Sequence, residues 1–256
     1  TLFNGVNRAR SMKMRPAGLP PTKVERLAVL GGGVMGRGIA HVAAQAGIAV
    51  TLVDVSGDAA RKSVEAIRNY ATKEAEKGRL KIALEELLAR IRPADSIEEI
   101  AGCDFAVEAV FEQAQAKRDV LARAADVLGS DVSIASNTST LPIGGLAEHV
   151  TNPARVIGLH FFSPVDRMAL VEVVRAAHTD EATLARALDF LKQLGKTPVV
   201  VNDGLGFFTS RIVTTYSSET LNLIGEGVPA QWIDNAAVNS GFTIGGATLA
   251  ELTTLP

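Results

Sequence analysis

An apolar run, Leu27-Ala-Val-Leu30, opens directly into Gly31-Gly-Gly33-Val34-Met35-Gly36, and a second run, Val50-Thr-Leu-Val53, ends on Asp54. Between them Ile39, Val42, Ala43 and Ala46 recur at helical spacing, and Gly47 offers a stop. Strand, glycine turn, helix, strand and acid, in that order, constrain what the chain can fold into more than any other feature. Gly31 permits a tight strand-to-helix turn, Gly33 lets backbone approach a pyrophosphate, and Gly36 lets the helix pack close to the sheet. The helix start, with Val34 and Met35 in its first turn, offers N–H groups and a positive dipole end to phosphates. Asp54 stands where it can accept hydrogen bonds from an adenosine ribose, and its charge repels the extra phosphate of NADP. A glycine pattern alone is common in ordinary loops. Its strand–turn–helix setting makes it a dinucleotide site, with NAD the expected cofactor.

The alternation continues beyond this unit. Strands are expected at 27–30, 49–53, 105–110, 132–135, 155–159, 170–174 and 198–201, with helical patterns at 34–46, 114–128 and 181–194. That predicts an α/β fold of Rossmann type, a mostly parallel sheet covered on both faces, with chemistry-bearing loops at the carboxyl ends of the strands. Residues 58–91 break the rhythm and read as a helical hairpin inserted after the second strand, turning at Gly78. Past Asp203, Gly204-Leu-Gly206 reads as a hinge. Helices then follow over Phe207–Glu226 and from Pro229 to Asn239, the start of an all-α domain. Residues 1–26 carry Arg8, Arg10, Lys13, Arg15 and three prolines, and read as a solvated linker. The expected division is linker 1–26, NAD-binding domain 27–202 and a partial helical domain 203–256.

Composition narrows the function classes. The balance of 26 basic and 28 acidic residues, net −2, argues against a nucleic-acid footprint or a polybasic membrane patch. No apolar run is long enough to span a bilayer; Ile39–Val53 is interrupted by His41, Gln45 and Gly47. Cys103 is the only cysteine, so no internal disulfide forms. Thr1–Val6 lack the basic start and cleavage pattern of a secretory signal, and the expected compartment is the reducing cytoplasm.

His160 ends the strand Val156-Ile-Gly-Leu-His160, where α/β active sites form. Glu172 lies among aliphatics in Leu170-Val-Glu-Val-Val174, and a buried carboxylate needs a partner. A Glu–His pair would fix the imidazole tautomer and raise its basicity. The residues equally allow an edge-strand Glu facing water and a His bound to backbone. Ser136-Asn137-Thr138-Ser139-Thr140 follows a strand and can hold a nicotinamide or a substrate hydroxyl, or cap the next short helix. Glu108-Ala-Val-Phe-Glu112, with Lys117 beyond, is another strand end carrying acid and base. The hairpin cations Arg68, Lys73, Lys77, Arg79 and Lys81 alternate with Glu65, Glu74 and Glu76, which on pattern alone is a solvated face.

Taken in order, these runs resemble the L-3-hydroxyacyl-CoA dehydrogenase family. The matching segments are Gly31–Gly36 with Asp54, Val107–Glu112 with Lys117, Ser136–Ile143, Gly158–Val165, Met168–Val174 and Gly195–Asp203. Thr1–Lys23 also resembles the linker of multifunctional β-oxidation proteins, in which an enoyl-CoA hydratase domain comes first. The resemblance implies oxidation of an L-3-hydroxyacyl-CoA to the 3-ketoacyl-CoA with NAD. It implies His160 as catalytic base, Glu172 as its partner and Ser139 against substrate hydroxyl and cofactor. It further implies Asn137, Glu112 and Lys117 at the nicotinamide ribose, and Lys77 on a hairpin that helps hold coenzyme A. Ser210 stands where the family has a substrate-contacting Asn. The family's helical domain runs on past Pro256 and forms a subunit contact. The chain is therefore expected to be truncated, to bind NAD, and to work poorly alone. The alternative is an NAD-binding segment not catalytically competent alone, acting only within a larger multifunctional enzyme; the helical domain also offers a homodimer contact.

Overall fold

A computed structural model describes residues 11–252; Arg8 and Arg10 of the expected linker lie outside the described residues. The described chain divides into two compact units, one ending at Leu205 and one starting at Gly206.

The first unit is an eight-stranded sheet: β1 Arg26–Leu30, β2 Ala49–Val53, β3 Ile91–Pro93, β4 Phe105–Glu108, β5 Ser133–Ser136, β6 Val156–Phe161, β7 Leu170–Arg175 and β8 Thr197–Asn202. Their spatial order is β3-β2-β1-β4-β5-β6-β7-β8. Every pairing is parallel except β6 with β7. The order reverses between β1 and β4, so a crevice opens at the carboxyl ends of these two strands, where dinucleotides bind. Leu27, Leu52, Phe105 and Leu159 are fully buried, because the sheet has helices on both faces. Phe105 stacks on Phe190 with centroids 4.8 Å apart; truncating either to Ala would cost about 3–5 kcal/mol.

The covering helices are α1 Val34–Gln45, α2 Gly57–Glu76, α3 Leu84–Ala89, α4 Ala114–Val127, α5 Ile143–Leu146 and α6 Glu181–Gln193. The side chain of Ser56 caps α2 and that of Asp180 caps α6, each accepting from a first-turn N–H. The expected hairpin is α2 and α3, turning at Gly78 with φ +65°. It is shorter than expected, since Ile91 leaves the helical pattern to begin β3 and pairs with Val50. Sheet pairing overrides helical periodicity there.

The expected solvated linker is corrected for its described part. Arg15 makes a two-pronged contact with Asp189 of α6 at 2.7 and 2.9 Å. Thr22 donates to the same carboxylate from its backbone and hydroxyl at 2.9 and 3.0 Å. Gln193 clasps Val24 through both of its amide atoms. These contacts strap the segment to the domain.

The second unit holds α7 Thr209–Gly225, α8 Ala230–Asn239 and α9 Gly246–Leu252. Asp234 of α8 accepts from Ala247 and Thr248 N–H at 2.8 and 3.1 Å, capping α9, a helix absent from the expected elements. A side chain on Gly246 would lie 1.9 Å from Thr220 Oγ1, which explains the small residue at that turn.

Candidate active site

The glycine turn has the geometry its sequence requires. Gly31 has φ +106°, and a Cβ there would lie 2.6 Å from the carbonyl oxygen of Ala109. A Cβ on Gly36 would lie 1.8 Å from the carbonyl oxygen of Gly31. Around Gly33 the space is open, and Gly33 caps α1 without a side chain, so the first-turn N–H groups face outward for an anion. Gly32 is equally constrained and was missed by the spacing rule. Its N–H donates to Asp54 at 3.1 Å, and a Cβ would strike Ser63 Oγ at 2.2 Å. Asp54 is thereby anchored to the loop that carries the phosphates. Residues 31–36 and 54 fit an NAD adenosine half and pyrophosphate on these grounds.

His160 and Glu172 are Cα partners across the antiparallel β6–β7 pair. His160 Nδ1 lies 2.8 Å from Glu172 Oε2, and both side chains are buried, Glu172 wholly. A carboxylate only accepts, so Nδ1 carries the hydrogen and Nε2 is left as the basic nitrogen. Phe162 packs on the imidazole, centroids 4.5 Å apart. Of the two arrangements the sequence allowed, the structure holds the paired one.

A second polar chain ties the ends of β4 and β5 together. Glu112 Oε1 accepts from the Thr138 hydroxyl at 2.5 Å and from Ser139 N–H at 3.0 Å, and Oε2 lies 3.1 Å from Lys117 Nζ. Burial opposes the charge on Glu112, yet Thr138 and Lys117 outweigh it and hold the carboxyl below its ordinary value. Lys117 is 1% exposed and is fully engaged by Glu108, Val110 carbonyl and Glu112. Lys117, expected at the nicotinamide ribose, reaches Glu112 from inside the domain at 3.1 Å. Asn137 Oδ1 accepts from Phe161 N–H at 2.9 Å, so its amide oxygen steadies the strand end that presents His160.

Residues 26–204 match the family described as "3-hydroxyacyl-CoA dehydrogenase, NAD binding domain". The chain belongs to the 3-hydroxyacyl-CoA dehydrogenase family. It is 39% identical over 240 residues to the fatty acid oxidation complex subunit alpha of Shewanella baltica, covering 91% of this chain and 33% of that protein. The chain thus spans about a third of the length of the curated relatives it matches. Among solved structures, (S)-3-hydroxybutyryl-CoA dehydrogenase PaaH1 from Ralstonia eutropha superposes with a TM-score of 0.86 at 34% identity, covering 90% of this chain and 83% of that one. The 3-hydroxybutyryl-CoA dehydrogenase from Escherichia coli gives 0.85 at 33%, covering 91% of this chain and 50% of that one.

Two cavities flank the dehydrogenase fold's inserted hairpin. One, of about 310 Å³, is lined by Val34 and Arg37 of α1, Tyr70 of α2, and Ser163–Asp166 just beyond His160. There the Tyr70 hydroxyl donates to Asp166 at 2.6 Å; burial and then that bond push the phenol up to about 12. The other, of about 670 Å³, takes its cations from Arg79, Lys81, Arg167 and Lys196. Lys77, expected to hold substrate, pairs with the buried Glu74 at 3.5 Å and keeps its side chain half-exposed. Ser210 falls in the first turn of α7, in the second unit. Within the strand ends that the sequence marks, the structure joins Glu108 to Lys117 and Ser136, and Thr138 to Glu112. Glu108 had a readable signal, a lone acid closing the apolar strand Phe105-Ala-Val.

Proposed function

We propose that this chain is the NAD-binding and catalytic portion of an enzyme that oxidises L-3-hydroxyacyl-CoA to 3-ketoacyl-CoA. One observation carries the proposal: His160 and Glu172 form a buried 2.8 Å pair at the carboxyl end of β6, beside a glycine turn open to a dinucleotide. Bound NAD supplies the hydride acceptor. His160 takes the hydroxyl proton at Nε2, and Glu172 stabilises the imidazolium that forms. Ser139 orients the substrate hydroxyl, and Glu112, held by Lys117, Thr138 and the Ser139 N–H, lines the nicotinamide ribose with Asn137. Gly31, Gly33, Val34, Met35 and Gly36 hold the pyrophosphate, and Asp54 holds the adenosine ribose. The cavity between α1, α2 and Ser163–Asp166 takes part of the coenzyme A moiety, while Ser210 stands in for the family's substrate-contacting Asn. The test is to mix the protein with NAD and 3-hydroxybutyryl-CoA and follow reduced nicotinamide by absorbance. Turnover that vanishes in His160→Ala is expected; a folded, NAD-binding protein with no turnover either alone or extended by the family's further helices would overturn the assignment of chemistry.

A second proposal, that the chain acts within a larger assembly, is favoured by the helical unit. Trp232 is 69% exposed and borders an apolar groove with Leu223, Val228 and Phe242. Further helices of a multifunctional protein, one with a hydratase part, or a second copy of this chain would cover it.

A further inference from the structure

We propose that Glu108 is a positioning residue of the nicotinamide-ribose site, acting through Lys117 on Glu112. The inference rests on the NAD-binding role proposed above and adds a residue that no part of the glycine turn or the His–Glu pair involves. Glu108 ends β4 and is wholly buried. Its Oε1 accepts from Lys117 Nζ at 2.8 Å and from Val110 N–H at 2.7 Å, and its Oε2 accepts from the Ser136 hydroxyl at 2.5 Å. Lys117 turns its remaining donors to Val110 carbonyl at 3.1 Å and to Glu112 Oε2 at 3.1 Å. The charges therefore run acid, base, acid from the sheet interior outward. Only the last, Glu112, reaches solvent, with its side chain 41% exposed.

Stability does not account for this trio. Taking Glu108 and Lys117 out of water is costly, and well-packed apolar residues of the same volume would hold the fold at least as well. What ions provide that apolar groups do not is orientation. Glu112 is gripped on both oxygens, by Lys117 on one and by Thr138 and Ser139 on the other. The β4–α4 and β5–α5 loops, which meet at the crevice, are thus locked together. Lys117 can hold Glu112 in one place only because Glu108 fixes the ammonium from below. The backbone continues the link, since Asn137 N–H donates to Glu108 carbonyl at 2.8 Å.

The test compares binding of NAD with binding of ADP, which has the adenosine half and pyrophosphate but no nicotinamide ribose. Calorimetric titration of Glu108→Gln should show NAD weakened about tenfold and ADP unchanged, whereas a merely structural defect would weaken both alike. Lys117→Met should weaken NAD to a similar degree, and the double variant should be no weaker than Lys117→Met alone. Should Glu108→Gln fail to fold, Ser136→Ala removes one bond to the same carboxylate and should weaken NAD about two- to threefold against ADP. Equal losses for NAD and ADP, unchanged NAD binding in folded variants, or additive losses in the double variant would overturn the proposal. If the unmodified protein binds neither nucleotide, the NAD-binding role itself falls, a separate outcome.

Discussion

Replacing Glu172 by Gln tests the His–Glu pair with the least change of shape. The carboxylate is wholly buried and holds His160 Nδ1 at 2.8 Å. An amide keeps the volume but removes the charge that steadies an imidazolium. It can also donate to Nδ1, which admits the wrong tautomer. A hydrogen bond to a charged partner contributes about 1.5–3 kcal/mol. At about 1.4 kcal/mol per decade, turnover should fall roughly 10- to 150-fold. NAD affinity should hold, because the glycine turn and Asp54 are untouched. The assay is reduction of NAD with 3-hydroxybutyryl-CoA across a range of pH. His160→Ala should cost about a hundred- to ten-thousand-fold, and the double variant scarcely more. Additive losses, or a folded Glu172→Gln variant with normal rate, would refute the pairing as the source of catalysis.

NAD should bind more tightly than NADP, and Asp54→Ser should narrow the gap; equal affinities in the unmodified chain, measured by titration, would remove the assigned role of Asp54. Asp189→Ala deletes the anchor of the Ser11–Lys23 strap and strands the Arg15 guanidinium. It should cost about 2 kcal/mol, roughly 4–8 °C in melting temperature. Acid should weaken the fold through His41, whose burial holds its pKa below the ordinary 6.5. The unfolded chain then takes up the proton first, so this contribution is full above 6.5 and is lost as pH falls. His41→Gln should flatten urea-midpoint dependence between neutral pH and about pH 5.

Much of this was legible because periodicity and glycine placement report backbone demands directly. Gly31 and Gly36 stand where a Cβ would collide with backbone, and no neighbour's choice of side chain relieves that. The His–Glu pair was half legible. Each residue carried its signal, but their register depends on a strand pairing that propensity does not encode. Glu108 showed the same lone-acid signal as Glu172, and Lys117 stood out beside it, but the burial that joins them depends on how the following helix packs, which spacing does not encode. The strap was illegible for the opposite reason. A basic, proline-bearing stretch reads as solvated unless an acid on a distant helix captures it, and Asp189 lies 174 residues from Arg15. Ile91 was drawn into a helix because its apolar spacing continues that of α3, although the edge of the sheet claims it.

The reversal of β7 shows how topology creates the chemistry. Residues 162–169 alone connect β6 to β7, and a parallel crossover needs a dozen residues or more, usually with a helix. The connection therefore forces an antiparallel pair, whereas α6 between β7 and β8 allows a parallel one. Had β7 run parallel from the same level as β6, its third residue, Glu172, would sit beside Gly158 rather than His160. At about 3.3 Å per residue that is roughly 7 Å too low for a hydrogen bond. Running backwards, the strand brings its third residue opposite the fifth of β6, on the same face of the sheet. The imidazole thus stays at the carboxyl end, where the crevice is, and its carboxylate arrives from the first turn of the returning strand. Burial of that carboxylate is tolerable only because the register supplies its partner. A single deletion within 162–169 that moved β7 by one residue would turn Glu172 to the opposite face and separate the pair.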